Sequence, residues 1–180
     1  MRSLLLYSAL TILGITAFAA SPVPRPAAQL EIVDSGGKHL LSNYKGKVVV
    51  VQFLLTTCQH CQACSQLLNN LQAEYGPRGF QVLGAAVNEA TPEMARDYAA
   101  KFAPGFPVGP LPRQPVLTFM GLSVMDRPGF PQIAVIDRKG QIREQTSGDI
   151  NEHQPLQEEA HIRALIEKLL AEGPAYRGGI

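Results

Sequence analysis

From Lys47 to Leu55 the chain reads KVVVVQFLL, nearly without polar residues and rich in β-branched side chains. Such a run suits a strand buried on both faces, as in the middle of a sheet. It leads directly into TTCQHCQAC, which holds all three cysteines of the chain, Cys58, Cys61 and Cys64. Beyond them, Cys61, Cys64, Leu68, Leu71 and Tyr75 recur at spacings of three and four. That periodicity predicts a helix, ended by Gly76-Pro77. A central strand that feeds a helix through a pair of overlapping C-x-x-C motifs constrains both the fold and the chemistry.

The remaining elements follow from the same rules. LEIVDSGGKHLL reads as two short strands around a turn at Ser35-Gly36-Gly37. FQVLGAAV, Phe80 to Val87, is a second buried strand. In TPEMARDYAAKF, Thr91 is the N-cap, Pro92 the first helical residue, and Met94, Ala95, Tyr98 and Phe102 the apolar face. Ala103 to Pro115 carries five prolines and two glycines and reads as irregular, with a short strand near Phe106 to Val108. A brief helix is predicted from Pro115 to Met120. A hairpin follows, Gln132 to Ile136 and Ile142 to Thr146, turning at Arg138-Lys139-Gly140. The last helix spans about Leu156 to Ala171 and puts Ile162, Leu165, Ile166, Leu169 and Leu170 on one face. Strand-helix alternation closed by a hairpin and a helix predicts an α/β sandwich around a mixed sheet.

The N-terminus has a different character. Arg2 precedes an apolar run from Leu4 to Ala20, and Ala17-Phe18-Ala19 fits an A-x-A cleavage pattern. Residues 1–20 therefore read as a secretory signal peptide, with a short membrane anchor as the alternative. Residues 21–29, SPVPRPAAQ, form a Pro-rich linker expected to stay extended. The domain is expected over residues 30–172 and a flexible tail over 173–180. Export leads to an oxidising compartment, where adjacent cysteines can pair. The net charge of +1 gives no sign of a nucleic-acid surface.

At the cysteine cluster, position on the helix separates the thiols. Cys58 sits where the helix begins, near free backbone N–H groups and the positive end of the helix dipole, which favour a thiolate. Cys61, one turn in, can reach back to it and is expected to be the more buried, resolving thiol. His60, when protonated, adds positive charge beside Cys58. That would stabilise the reduced form and make the disulfide more oxidising.

With GKVVVVQFLLTTCQHC, GFPQIAVIDRKGQI and this element order, the chain resembles the TlpA/ResA branch of exported thiol-disulfide oxidoreductases, in the thioredoxin superfamily. The resemblance covers roughly Leu30 to Glu172. It implies a thioredoxin-like three-layer sandwich, with a mixed central sheet flanked by helices and an N-terminal β-hairpin. It also implies that Pro131, after Phe130, is a cis-proline facing the disulfide and positioning a substrate backbone. A cis peptide is largely a property of X-Pro bonds, and proline suits the first position of a strand. Cys58 and Cys61 are then the catalytic pair, and His60, Gln59, Thr57, Phe130, Pro131 and Gln52 position substrate or tune the pair.

Departures from the family pattern lie close to the pair. Thr57 stands where relatives have Trp, and Gln59-His60 where they often have Pro or Glu. Gln52 stands six residues before Cys58, where some thioredoxins carry a buried acid that accepts the proton of the resolving thiol. Gln52 cannot titrate, which leaves Glu74 and Glu89 as candidate substitutes. Cys64 reads as a small apolar residue under the site, with a spare resolving thiol as the alternative.

A copper carrier is a further alternative, using the three thiols with His60, His39, His153 or His161. The related copper chaperones use C-x-x-x-C, and Gln62 occupies their second cysteine position. Thiol peroxidases of this fold carry P-x-x-x-T-x-x-C, against Val51 and Leu55 here. The expectation is thus a protein needing no bound cofactor and no metal, its redox centre being the Cys58–Cys61 dithiol. Its expected partners are envelope protein thiols or disulfides and an upstream electron donor or acceptor, without nucleic acid. Its expected location is periplasmic or otherwise extracytoplasmic, membrane-attached only if the N-terminal segment is retained.

Overall fold

A computed structural model of the chain describes residues 22–149 and 152–173. The expected signal segment and nearly all of the expected tail lie outside these residues. The elements in chain order are β1 (Arg25–Pro26), β2 (Glu31–Asp34), β3 (Gly37–Leu40), β4 (Val48–Leu54), α1 (Gln59–Tyr75), β5 (Phe80–Ala86), α2 (Pro92–Phe102), β6 (Val108–Pro110), α3 (Arg113–Met120), β7 (Gln132–Ile136), β8 (Gln141–Gln145) and α4 (Glu159–Ala171).

Six strands form one mixed sheet in the order β1-β8-β7-β4-β5-β6. β4 runs parallel to β5 and antiparallel to β7, so it is paired along both edges. All seven of its residues are buried. Alternation divides them between two cores. Val48, Val50 and Leu54 pack with Leu68, Leu71 and Tyr75 of α1, Tyr98 of α2, and Ile162 and Ile166 of α4. Val49, Val51 and Phe53 pack with Ile32 of β2 and with Val116, Phe119 and Met120 of α3. The apolar run is continuous because each face of β4 needs its own core. This is the expected mixed-sheet sandwich, with the β2–β3 hairpin as a separate two-stranded sheet.

Local chemistry sets the helix ends. Thr91 caps α2 by accepting from the Met94 N–H at 3.1 Å. Pro115 lies within the first turn of α3, where its missing N–H would have had no partner. Several elements differ from expectation, α3 among them, since it begins at Arg113 rather than Pro115. β6 lies two residues later than expected, because Val108–Pro110 is the segment in register with Gly84–Ala86. α4 begins at Glu159, since Pro155–Gln157 makes a separate 3-10 turn. Part of the Pro-rich linker joins the sheet: Arg25 and Pro26 pair with Ile142 and Gln141. The Arg25 guanidinium fixes this strand by donating from Nη2 to the Phe119 carbonyl and to Gln145 Oε1, each at 2.7 Å.

Gly109 lets β6 lie under the hairpin, because a Cβ there would overlap the Val33 carbonyl. Backbone cannot yield as a flexible side chain can. Gly109→Ala is therefore expected to destabilise the fold by about 1–3 kcal/mol, the usual cost of overpacking. Urea unfolding measures this, and an unchanged midpoint and slope would contradict the packing described.

Candidate active site

β4 ends at Leu54, and residues 55–58 carry the chain to the start of α1 at Gln59. Asn88, just beyond β5, pins this bend. Its Oδ1 accepts from the Thr56 N–H at 3.2 Å, and its Nδ2 donates to Thr56 Oγ1 at 2.9 Å. Gln62 Nε2 adds a bond to the Thr56 carbonyl at 3.2 Å. Cys58 follows as the N-cap of α1, with extended backbone. Its Sγ accepts the Cys61 N–H at 3.3 Å. The sulfur thus takes the place that a serine or aspartate oxygen usually fills at an N-cap, facing the unpaired N–H groups of the first turn.

The three cysteines are free thiols in different surroundings. Cys58 is partly exposed, whereas Cys61 is fully buried and Cys64 nearly so. Burial pushes the Cys61 thiol well above the ordinary range, partly opposed by a hydrogen bond from the Leu55 backbone. Burial likewise raises Cys64 to about 12, with a smaller contribution from the nearby Cys58 charge.

The Phe130–Pro131 peptide is cis, and the Phe130 carbonyl lies 3.8 Å from Cys58 Sγ. Buried Gln132 holds this segment by donating from Nε2 to the Gly129 carbonyl at 2.6 Å and the Ser147 carbonyl at 3.2 Å. Its Oε1 accepts from Thr146 Oγ1 at 2.7 Å. Phe130 and Pro131 line a groove of about 210 Å³ together with His60, Gln154 and Gln157.

Beneath the thiols, Gln52 is fully buried. It donates from Nε2 to the Cys61 carbonyl at 3.1 Å, and its Oε1 accepts from Ser65 Oγ at 2.8 Å. Ser65 Oγ in turn lies 2.8 Å from Tyr98 Oη.

The structure therefore brings Cys58, Cys61, Gln52, His60, Phe130 and Pro131 to one end of the sheet. Thr57 and Gln59 are exposed at the bend and first turn. Glu74 is not near the thiols. It is bound to Arg163 at 2.6 Å, sixteen residues along α1 from Cys58, or roughly 24 Å at 1.5 Å per residue. Glu89 is exposed in the loop after β5. The other histidines are engaged elsewhere: His39 with Asp34 and Tyr44, His153 with Glu158, and His161 with Glu144. Among the described residues, no three His, Cys, Asp or Glu side chains converge as a metal-ligand set. Asn88, Gln132, Ser65 and Tyr98 had no signal in the sequence. The contacts of Asn88 with Thr56, of Gln132 with Thr146 and of Ser65 with Tyr98 span 32, 14 and 33 residues of the chain.

The contrast between the thiols is measurable. With Cys64 at about 12, its thiolate fraction at pH 8 is roughly 10⁻⁴. Iodoacetamide at pH 8 is expected to label Cys58 in the folded, reduced protein and to reach Cys64 only after denaturation. Labelling of native Cys64 at the rate of a free thiol would contradict its placement.

Comparison with known proteins agrees with this geometry. The Redoxin family matches residues 19–166. The thiol-disulfide oxidoreductase ResA of Geobacillus thermodenitrificans is 28% identical over 167 residues, covering 85% of this chain and 92% of that protein. ResA of Bacillus thuringiensis is 24% identical over 133 residues, covering 73% of each chain. A thioredoxin-family thiol:disulfide interchange protein from Chlorobium tepidum superposes with a TM-score of 0.67 at 24% identity, covering 84% of this chain and 99% of that one. The thioredoxin domain of a thiol-disulfide oxidoreductase from Bacteroides vulgatus gives 0.63 at 19% identity, covering 81% and 99%. The chain belongs to the redoxin family, is similar to ResA thiol-disulfide oxidoreductases and shares the thioredoxin fold.

Proposed function

We propose that this protein is an exported thiol-disulfide oxidoreductase that exchanges disulfides with envelope proteins through Cys58 and Cys61. The observation that carries this reading is the position of Cys58 Sγ. It is partly exposed, caps a helix N-terminus by accepting the Cys61 N–H at 3.3 Å, and lies 3.8 Å from the Phe130 carbonyl.

In the reducing direction, the Cys58 thiolate attacks one sulfur of a substrate disulfide. The substrate S–S bond breaks, a Cys58–substrate disulfide forms, and the other substrate sulfur leaves as a thiolate and takes a proton. Cys61 then loses its proton and attacks Cys58 Sγ. A Cys58–Cys61 disulfide forms and the second substrate thiol is released. Two electrons pass from the dithiol to the substrate, and an upstream dithiol restores the pair. In the oxidising direction the same steps run backwards, and an upstream disulfide is the electron acceptor.

Phe130 and Pro131 line the groove in which an extended substrate strand would lie against Cys58. His60 lines the same groove. Thr57 and Gln59 are exposed beside the cysteines, and Gln52 holds the backbone of the buried Cys61. No bound cofactor enters these steps. Export rests on the basic, apolar and A-x-A pattern of residues 1–20. Among the described residues, no helix is long and apolar enough to cross a membrane.

Cys61→Ser removes the second step and leaves the first. Incubated with a disulfide-bonded protein, this variant is expected to accumulate a near-stoichiometric mixed disulfide through Cys58. The complex should dissolve on adding dithiothreitol and be absent from Cys58→Ser/Cys61→Ser. If Cys61→Ser traps nothing under these conditions, the exchange mechanism is wrong.

A further inference from the structure

The polar contacts beneath the thiols have only one possible set of donor directions. The Cys61 carbonyl can only accept, so Gln52 must present its N–H to it. The Gln52 carboxamide oxygen then faces Ser65, which must spend its single hydroxyl proton there. The Ser65 oxygen is left able only to accept, so in the bond between the two hydroxyls Tyr98 must be the donor. The result is a directed chain, Tyr98 O–H to Ser65 O–H to the Gln52 carboxamide to the Cys61 carbonyl. It crosses from α2 through α1 to β4 and returns to the turn that carries both reactive cysteines.

The three side chains are 4% exposed or less, so water does not supply alternative partners. Reversing any link would set two acceptors or two donors face to face in a site where an unpaired polar group is costly. Burial also keeps the Tyr98 hydroxyl protonated well above its ordinary range, and charge on any of the three thiols adds to that effect. Every dipole in the chain therefore points its positive end toward the Cys61 turn. At the position occupied by a negative charge in proteins with a buried acid, this chain holds an N–H donor.

We propose that Tyr98 and Ser65 are positioning residues for the Cys58–Cys61 pair: they lock the Gln52 carboxamide with its N–H toward Cys61 and thereby stabilise the reduced, negatively charged state. The proposal rests on the reading of the pair as redox-active. Neither residue touches the substrate; both act through Gln52.

The test is the equilibrium between the Cys58–Cys61 dithiol and a defined glutathione/glutathione-disulfide buffer, read by alkylation and mass spectrometry. Tyr98→Phe keeps the ring and removes the donor. It is expected to shift the equilibrium constant about 3- to 10-fold toward the disulfide, up to roughly 30 mV more negative. Ser65→Ala, which cuts the chain nearer to Gln52, is expected to shift it at least as far. In a Gln52→Leu background the chain has no terminus, so Tyr98→Phe should produce no additional shift. A general packing effect would instead persist in that background.

A constant within twofold of the parent's for both Tyr98→Phe and Ser65→Ala would overturn this inference and leave the oxidoreductase reading intact. An equal shift from Tyr98→Phe with and without Gln52 would also overturn it. A parent protein that never equilibrates with the glutathione buffer would overturn the oxidoreductase reading, and this inference with it.

Discussion

Seven consecutive residues, Val48–Leu54, are buried in β4. Their backbone groups have no water to bond, so strands must pair along both edges, and β5 and β7 do so. Their side chains point alternately to two faces, so each face must be covered. α1, α2 and α4 cover one, and α3 with the β2–β3 hairpin covers the other. Where β4 runs out, the chain has to turn back over the sheet to begin its cover. That turn brings Cys58 to the start of α1, at the sheet end where the loop before β7 delivers Phe130 and Pro131. The site is thus a by-product of burying one strand twice.

The same constraint explains the polar residue in β4. Gln52 lies on the face covered by α1, among apolar neighbours, and a bare carboxamide there would be costly. Its oxygen and one N–H are taken up by Ser65 and the Cys61 carbonyl. A carboxylate at this place would carry a charge into the interior and repel a thiolate beside it. The amide supports the turn with dipoles alone. The thiols above it then differ by burial rather than by a neighbouring acid. Cys58 is the partly exposed member, and Cys61 and Cys64 are held high by desolvation.

The parts of this arrangement that were legible in the sequence are those written as local periodicity. KVVVVQFLL marks a twice-buried strand because β-branched residues fill both of its faces. The spacing from Cys61 to Tyr75 marks a helix because the face it buries repeats every three or four residues. The Thr91-Pro92 start of α2 was visible for the same reason, since a cap acts within one turn. What escaped notice depends on contacts between distant segments. Tyr98 reads as one more apolar position on its helix, and Ser65 as a neutral helix residue. Only the packing of α2 on α1 brings their hydroxyls within 2.8 Å. Asn88 was hidden likewise, since its partner Thr56 is 32 residues away. Arg25–Pro26 is too short to show any period, and its pairing comes from the Arg25 guanidinium reaching the Phe119 carbonyl. Glu74 was misjudged for a different reason. Helical periodicity shows which face a residue occupies, but the partner that claims it, Arg163, lies on another helix.

Both margins of the six-stranded sheet end in very short strands that contain proline: β1, with Pro26, on one side and β6, with Pro110, on the other. Exposed strand margins are templates on which a foreign extended chain can grow the sheet, and a proline without an N–H interrupts that growth. For a protein whose proposed clients are polypeptides with loose, extended segments, such growth would be a constant hazard of self-association and of unproductive capture. Proline at both margins would discourage such segments from lodging there. In the proposed reaction the groove beside Phe130 and Pro131 would then be the place where extended backbone is received, so capture and chemistry would coincide.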